Sequence, residues 1–171
     1  MRIGFVSTRF HGTDGVSLEA SKWGKVFEKE LDHECFWFAG KLDTPENSSS
    51  LCPKAFFEHS SVIPLQEKLF SDLNACSNDL TDSVNVLEAE IHNSLENFVR
   101  KYSIDLVIPQ NVLAIPMHVP MGLAVTSMAS KGLPMIAHHH DFYWERERFL
   151  KGCAQHYLDS SFPPKITEKF Q

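Results

Sequence analysis

No stretch of this sequence approaches the roughly 18 consecutive apolar residues of a membrane-spanning helix. That excludes a transmembrane segment of the helical kind, and the apolar run at residues 1–7 is too short for the core of a signal peptide. Peripheral contact with a membrane stays open, without a positive signal. Basic residues are also scarce: 16 Lys and Arg face 22 Asp and Glu, for a formal net charge of −6. Duplex-binding domains are usually basic, so nucleic acid is not expected as a partner. The nine histidines would add positive charge only at mildly acid pH. Cysteine is sparse and irregular. Cys35, Cys52, Cys76 and Cys153 contain no C-x-x-C pair, which argues against a zinc ribbon and against a disulfide scaffold. A reduced, cytoplasmic setting is the expectation. Two phosphate signatures are missing, the dinucleotide fingerprint G-x-G-x-x-G and the phosphate loop G-x-x-x-x-G-K-[ST], so no nicotinamide, flavin or other cofactor is expected.

What is present is ordinary globular composition: 171 residues, 43% hydrophobic and 22% charged, enough for one domain with a sizeable core. Residues 3–7 are apolar and β-prone, as in a central parallel strand buried on both faces. A loop at 8–15 leads into an expected helix over 16–31, with Asp14 or Ser17 as cap and Ala20, Trp23, Phe27 and Leu31 on its buried face. Gly24 in mid-helix costs about 1 kcal/mol against Ala, so a close contact is expected there. Residues 34–39 read as a second strand. The Ser-, Asn-, Asp- and Pro-rich stretch 41–53 reads as a mobile loop, and a further short strand is expected within 55–63.

Leu65, Leu69 and Leu73 predict a helix over 65–75. Val84, Leu87, Ile91, Leu95, Phe98 and Tyr102 predict a longer one. Residues 104–108 read as a strand stopped by Pro109, and 110–119 as irregular. A helix from Pro120 to Lys131 stops at Gly132. Residues 134–138 read as a strand, and 145–159 as a last helix before Phe162-Pro163-Pro164. The alternation predicts an α/β domain: a Rossmann-like, three-layer, doubly wound, mainly parallel sheet.

Four constellations carry chemistry. Gly12-Thr13-Asp14-Gly15 is either a plain turn or a place where backbone approaches an anion at a helix N-terminus. His138-His139-His140-Asp141 ends an expected strand, so His138 and His140 share one side and His139 takes the other. Arg146 and Arg148 either fork onto a phosphate or carboxylate, or pair with Glu145 and Glu147 on a helix. Gln110 and Asn111 follow a strand at the same carboxyl edge and suit hydroxyl-rich ligands.

With these residues the chain resembles the N-terminal half of a GT-B glycosyltransferase, most like the family 4 retaining enzymes. The resemblance rests on Ser7-Thr8-Arg9-Phe10 with the loop 12–20, on the stretch 110–117, on the His138-His139-His140-Asp141 strand end, and on Phe142-Tyr143-Trp144-Glu145-Arg146. It implies that residues 1–171 are the N-terminal, acceptor-side Rossmann-like domain of a two-domain enzyme. Such an enzyme moves a hexose from a nucleoside-diphosphate sugar to an acceptor hydroxyl with retention. It also implies that His140 contacts the transferred sugar, with Gly12, Thr13, Asp14, Gly15, Gln110, Asn111, His138 and Asp141 near donor or acceptor and Arg9 and Arg146 as weaker anion contacts. The sequence departs from the family at Gln171, before any second Rossmann unit, so this half alone is expected to be inactive.

Two further readings stand beside it. One is a metal-dependent hydrolase using His138, His140, Asp141 and Glu145, although their spacing matches no standard zinc pattern. The other is a non-catalytic binding or assembly module whose open apolar face docks a partner or a second copy.

Overall fold

The computed structural model describes residues 1–71 and 76–164. Four parallel strands, β1 (Arg2–Val6), β2 (Glu34–Ala39), β3 (Ser49–Leu51) and β4 (Leu106–Pro109), form one sheet in the order β3-β2-β1-β4. Reversal of strand order at β1 and β4 is the doubly wound pattern, and it opens a crevice at their carboxyl ends.

Alternation along the central strands builds two cores. Ile3 and Phe5 of β1, Cys35, Trp37 and Ala39 of β2, and Ile108 of β4 pack with Ala20 of helix α1 (Gly15–Glu30). Val6, Phe36, Phe38 and Val107 face the other way, into a larger core with α3 (Asn78–Tyr102) and α4 (Val119–Ser130). A sheet covered on both faces explains why its strands are apolar throughout rather than alternating.

The helix α3 buries the six side chains that its sequence spacing singles out, together with Leu80 and His92. Its start is six residues earlier than the first of those, where the Ser77 hydroxyl accepts from the Leu80 amide at 3.2 Å. In α1 the buried positions are Ser17, Ala20 and Gly24. Trp23 and Phe27 are half-buried, and Leu31 is exposed because the helix ends at Glu30. A Cβ on Gly24 would stand 3.0 Å from the Trp37 ring, which is the close contact expected there.

Several expectations are corrected. Stretch 41–53, read as a loop, contains a turn of 3-10 helix at Glu46–Ser48 and the edge strand β3. Three backbone pairings to β2 outweigh its weak strand propensity. The strand expected within 55–63 is absent; turns there lead into α2 (Ile63–Ser71). The continuation of that helix through Leu73 to residue 75 lies outside the described residues. Residues 134–138 are not a continuous strand, but they bridge β4 in parallel at Met135 and His138. Hydrogen bonds from Val107 to Pro134, Ile136 to Val107, and His138 to Pro109 run at 2.9–3.0 Å. Residues 145–159 are not one helix: short 3-10 turns at Tyr143–Glu145 and Glu147–Phe149 precede a brief α5 (Gln155–Ser161). Cys76 and Cys153, read as thiols, are joined by a disulfide across 77 residues of sequence. Cys35 and Cys52 are free and buried.

Candidate functional site

The site is assembled where three carboxyl edges meet: β1, β4 and the 134–138 segment. Leaving β4, the chain enters Gln110, whose amide donates to the Val6 carbonyl at 2.8 Å, and Asn111, which adopts the left-handed region at φ 60°. Asn111 is not a helix cap. Its carboxamide takes the amide of His140 at 3.1 Å and donates to Asp141 at 3.0 Å. Its own amide donates to the His138 carbonyl at 2.8 Å. One residue therefore fixes the whole His138–Asp141 bend.

The histidines alternate as expected. The His138 and His140 rings lie 4.6 Å apart on one side, while His139 packs on Phe142 on the other. His138 also stacks on Trp23 of α1 at 4.6 Å. Gln110 Oε1 lies 2.9 Å from His138 Nδ1 and 3.5 Å from His140 Nε2. An amide oxygen accepts only, so each of those ring nitrogens carries the proton. Burial pushes the His138 pKa below its ordinary value, His140 adds to that, and Glu19 opposes it. Burial likewise lowers His139. His140 itself is exposed at the crevice edge.

Asp141 is held by Asn111 and by the Arg146 guanidinium. Burial alone would raise its pKa; the hydrogen bonds from Asn111 and Arg146, and the Arg146 charge, hold it below the ordinary carboxylate value. Glu145 accepts from the Phe142 amide at 3.1 Å. Both carboxylates of the supposed metal quartet are thus engaged locally. Among the described residues no three His, Cys, Asp or Glu side chains converge as a metal site. With no helix at this point, Arg146 and Arg148 make no ion pair with Glu145 or Glu147 among the described residues. Arg146 turns back to Asp141, and Arg148 reaches Met117.

The glycine loop holds the cap expected of α1. Asp14 caps α1, accepting from the Val16 amide at 3.1 Å and from the Ser17 amide at 3.2 Å and hydroxyl at 2.7 Å. Arg9 lies 3.4 Å from the same carboxylate. Burial raises the Asp14 pKa, but the Ser17 hydroxyl, the Ser17 amide, Arg9 and the Val16 amide together hold it low. The helix N-terminus is therefore occupied by the protein's own anion. Gly12, at φ +80°, gives its amide to Asp43 at 2.7 Å, and it faces a different hollow from the one at the strand ends. Gly12, Thr13 and Gly15 are exposed and none lines the cleft at the strand ends.

That cleft, of about 240 Å³, runs from Ser7, Thr8 and Arg9 past Gln110 and Asn111 to Met117, His118, Arg146 and Arg148. His118 was missed in the sequence. It is 2% exposed and caps α4: Nδ1 accepts from the Met121 amide at 3.2 Å, and Nε2 donates to the Lys54 carbonyl at 2.8 Å. Burial drives its pKa down to about 4, against the pull of the Lys54 carbonyl and with help from His59. A polar residue one step before a Val-Pro helix start was the available signal. Ser7 joins the cleft by donating to the Gln110 carbonyl at 3.2 Å.

No family model matches the chain, and no solved structure does. Two curated proteins are similar along nearly all of it. The chain is 28% identical over 170 residues, 97% of its length, to the mannosylglucosylglycerate synthase of Thermotoga maritima. It is 30% identical over 171 residues, 96% of its length, to the mannosylglucosylglycerate synthase of Petrotoga mobilis. The chain spans 38% of the length of each of these relatives.

Proposed function

We propose that this chain is the acceptor-side, Rossmann-like half of a GT-B glycosyltransferase that moves a hexose from a nucleoside-diphosphate sugar to a hydroxyl acceptor with retention. The observation that carries this reading is the similarity along nearly the whole chain to two synthases of a glycoside, of whose length it spans only 38%. The parallel sheet with a polar cleft at its carboxyl edge supports it. The chain's missing partner is then a second domain that holds the donor, and residues 1–171 alone do not transfer sugar.

In this reading His140 is the residue that meets the transferred sugar. Asn111 and Gln110 fix its backbone and ring, so it is oriented before the donor arrives. Proton-bearing Nε2 lies within reach of Gln110 and, when released, of a sugar hydroxyl. Asp141, pinned by Arg146, holds the bend rather than acting as a base. With Asp14 already at the N-terminus of α1, charge on the departing diphosphate is met chiefly by the second domain.

The test is a chimera in which residues 1–171 replace the matching segment of the Petrotoga mobilis synthase. Transfer of labelled mannose from a nucleoside-diphosphate α-mannose is expected, with the α configuration at the anomeric carbon kept in the product, as read by NMR. His140→Ala should lower kcat about 100-fold or more. A chimera that is folded by circular dichroism yet transfers nothing would sink the proposal.

A further inference from the structure

Trp23 belongs to the face of α1 that the sequence marks as buried, yet it is only half-buried and its ring meets the strand-end histidines. Gly24, beside it, carries no Cβ, and one there would stand 3.0 Å from the Trp37 ring. The helix can therefore lie close to the sheet, which brings the indole to the strand end. That indole is held in place. Its Nε1 donates to Glu19 Oε1 at 3.2 Å, and Phe27 meets it edge-on at 6.0 Å. Its face stacks on the His138 ring at 4.6 Å and 21°.

The two histidines differ in how firmly they are fixed. His138 has the indole against its face and Gln110 Oε1 at 2.9 Å from its Nδ1. Burial and then His140 lower its pKa, Glu19 opposes them, and His139 turns to the other side, so the stacked ring is neutral. His140 is exposed, and its Nε2 lies 3.5 Å from Gln110 Oε1, at the far limit of a hydrogen bond. Its ring contact with His138, at 4.6 Å and 39°, is the closer constraint. Support for His140 thus runs from α1, through Glu19, Trp23 and His138 in turn.

We propose that Trp23 and His138 are positioning residues: the indole clamps His138, and His138 sets the ring of His140, which meets the transferred sugar. This rests on the transferase reading and separates the two histidines, since His140 touches substrate and His138 does not. A ring placed before binding does not have to be ordered by the substrate, so the gain falls on the chemical step.

Histidine ring-nitrogen NMR on the 171-residue chain tests it. His138 should carry its proton on Nδ1, the less common form of a free neutral imidazole side chain, and its ring protons should show a cross-relaxation peak to those of His140. Trp23→Leu keeps apolar bulk but offers no ring face. It should send His138 back toward the Nε2–H form and abolish the cross-peak, and Trp23→Phe should keep both signals. In an active chimera Trp23→Leu should lower kcat about tenfold or more with KM held within about twofold, and Trp23→Phe should recover most of the loss. A residue that only packs would lower the melting temperature and leave both signals in place. A wild-type chain lacking either signal, a Trp23→Leu chain that keeps both, or a Trp23→Phe chain that loses both overturns the proposal. If Trp23→Leu does not fold, Glu19→Ala decides: it frees the indole edge at a partly exposed side chain, and unchanged signals there overturn the proposal. Failure here is separable from failure of the transferase reading. An active chimera that Trp23→Leu leaves undiminished keeps the transferase and loses the positioning role. A folded chimera that transfers nothing sinks the transferase, while the NMR signals decide the clamp without it.

Discussion

Acid titration of His118 should cost the fold a measurable part of its stability. The ring is buried between the N-terminus of α4 and the Lys54 carbonyl, and one nitrogen must accept while the other donates, so only the neutral form fits. Its folded pKa is depressed to about 4 from an ordinary 6.5. Between those values the unfolded chain binds a proton that the folded chain refuses. Stability contributed by the neutral ring is therefore fully present above pH 6.5 and falls as pH drops from there toward 4. The full loss is roughly 3 kcal/mol, of which about 2 kcal/mol is gone by pH 5.

The matched perturbation is His118→Asn. Asparagine caps a helix nearly as well but does not titrate, and it leaves the Lys54 carbonyl unpaired, at about 1–3 kcal/mol. Urea unfolding of both proteins at pH 7.5, 6.0 and 5.0 measures the difference. Wild type should be the more stable by about 2 kcal/mol at pH 7.5, and that advantage should shrink toward zero near pH 5. Parallel pH profiles for the two proteins would refute the reasoning, because they would show that His118 takes up no fewer protons folded than unfolded.

Other outcomes follow from packing and covalent structure. Gly122→Ala should destabilise by about 3 kcal/mol or more, since its Cβ would stand 2.1 Å from the buried Phe162 ring; denaturant melts read this directly. Gly24→Ala should destabilise by about 1 kcal/mol despite better helix propensity, because Trp37 is held by Phe5 and Phe10 and cannot give way; a stabilised variant would contradict that packing. Unfolded, unreduced protein should show two thiols to Ellman's reagent and four after reduction, whereas four without reductant would deny the Cys76–Cys153 bond. Native protein should react slowly at Cys35, which burial pushes up to about 12. Ile136, Trp144 and Leu150 are exposed, so self-association is expected at high concentration, and light scattering from a clean monomer there would count against it.

Legibility in the sequence followed the range of the interactions. The strands at Arg2–Val6 and Glu34–Ala39 and the long helix α3 announce themselves through side-chain periodicity, which local backbone geometry imposes on any segment that buries a face. The same holds for the opposed His138–His140 and His139 sides, since strand-like backbone alternates. Strand β3 was hidden because its three residues gain their conformation from pairing with β2, not from their own composition. The split of 145–159 into short turns was hidden because Arg146 turns back to Asp141 and Tyr143 pairs with Ala114, contacts the helical pattern does not contain.

By itself, then, the sequence determined an α/β chain with a parallel sheet, a reversal of strand order, and polar residues gathered at its carboxyl edge. Only tertiary structure decided what each of those residues does there. It selected Asp14 over Ser17 as the cap of α1, and gave Gly12 to Asp43, Asn111 to the histidine bend, and His118 to α4. Among the described residues it also left Arg148 without an acidic partner and Gln110 Nε2 without an acceptor. A hydrogen bond is settled by distances of about 3 Å between groups far apart in sequence, and the spacing along a chain does not encode which of several donors arrives first.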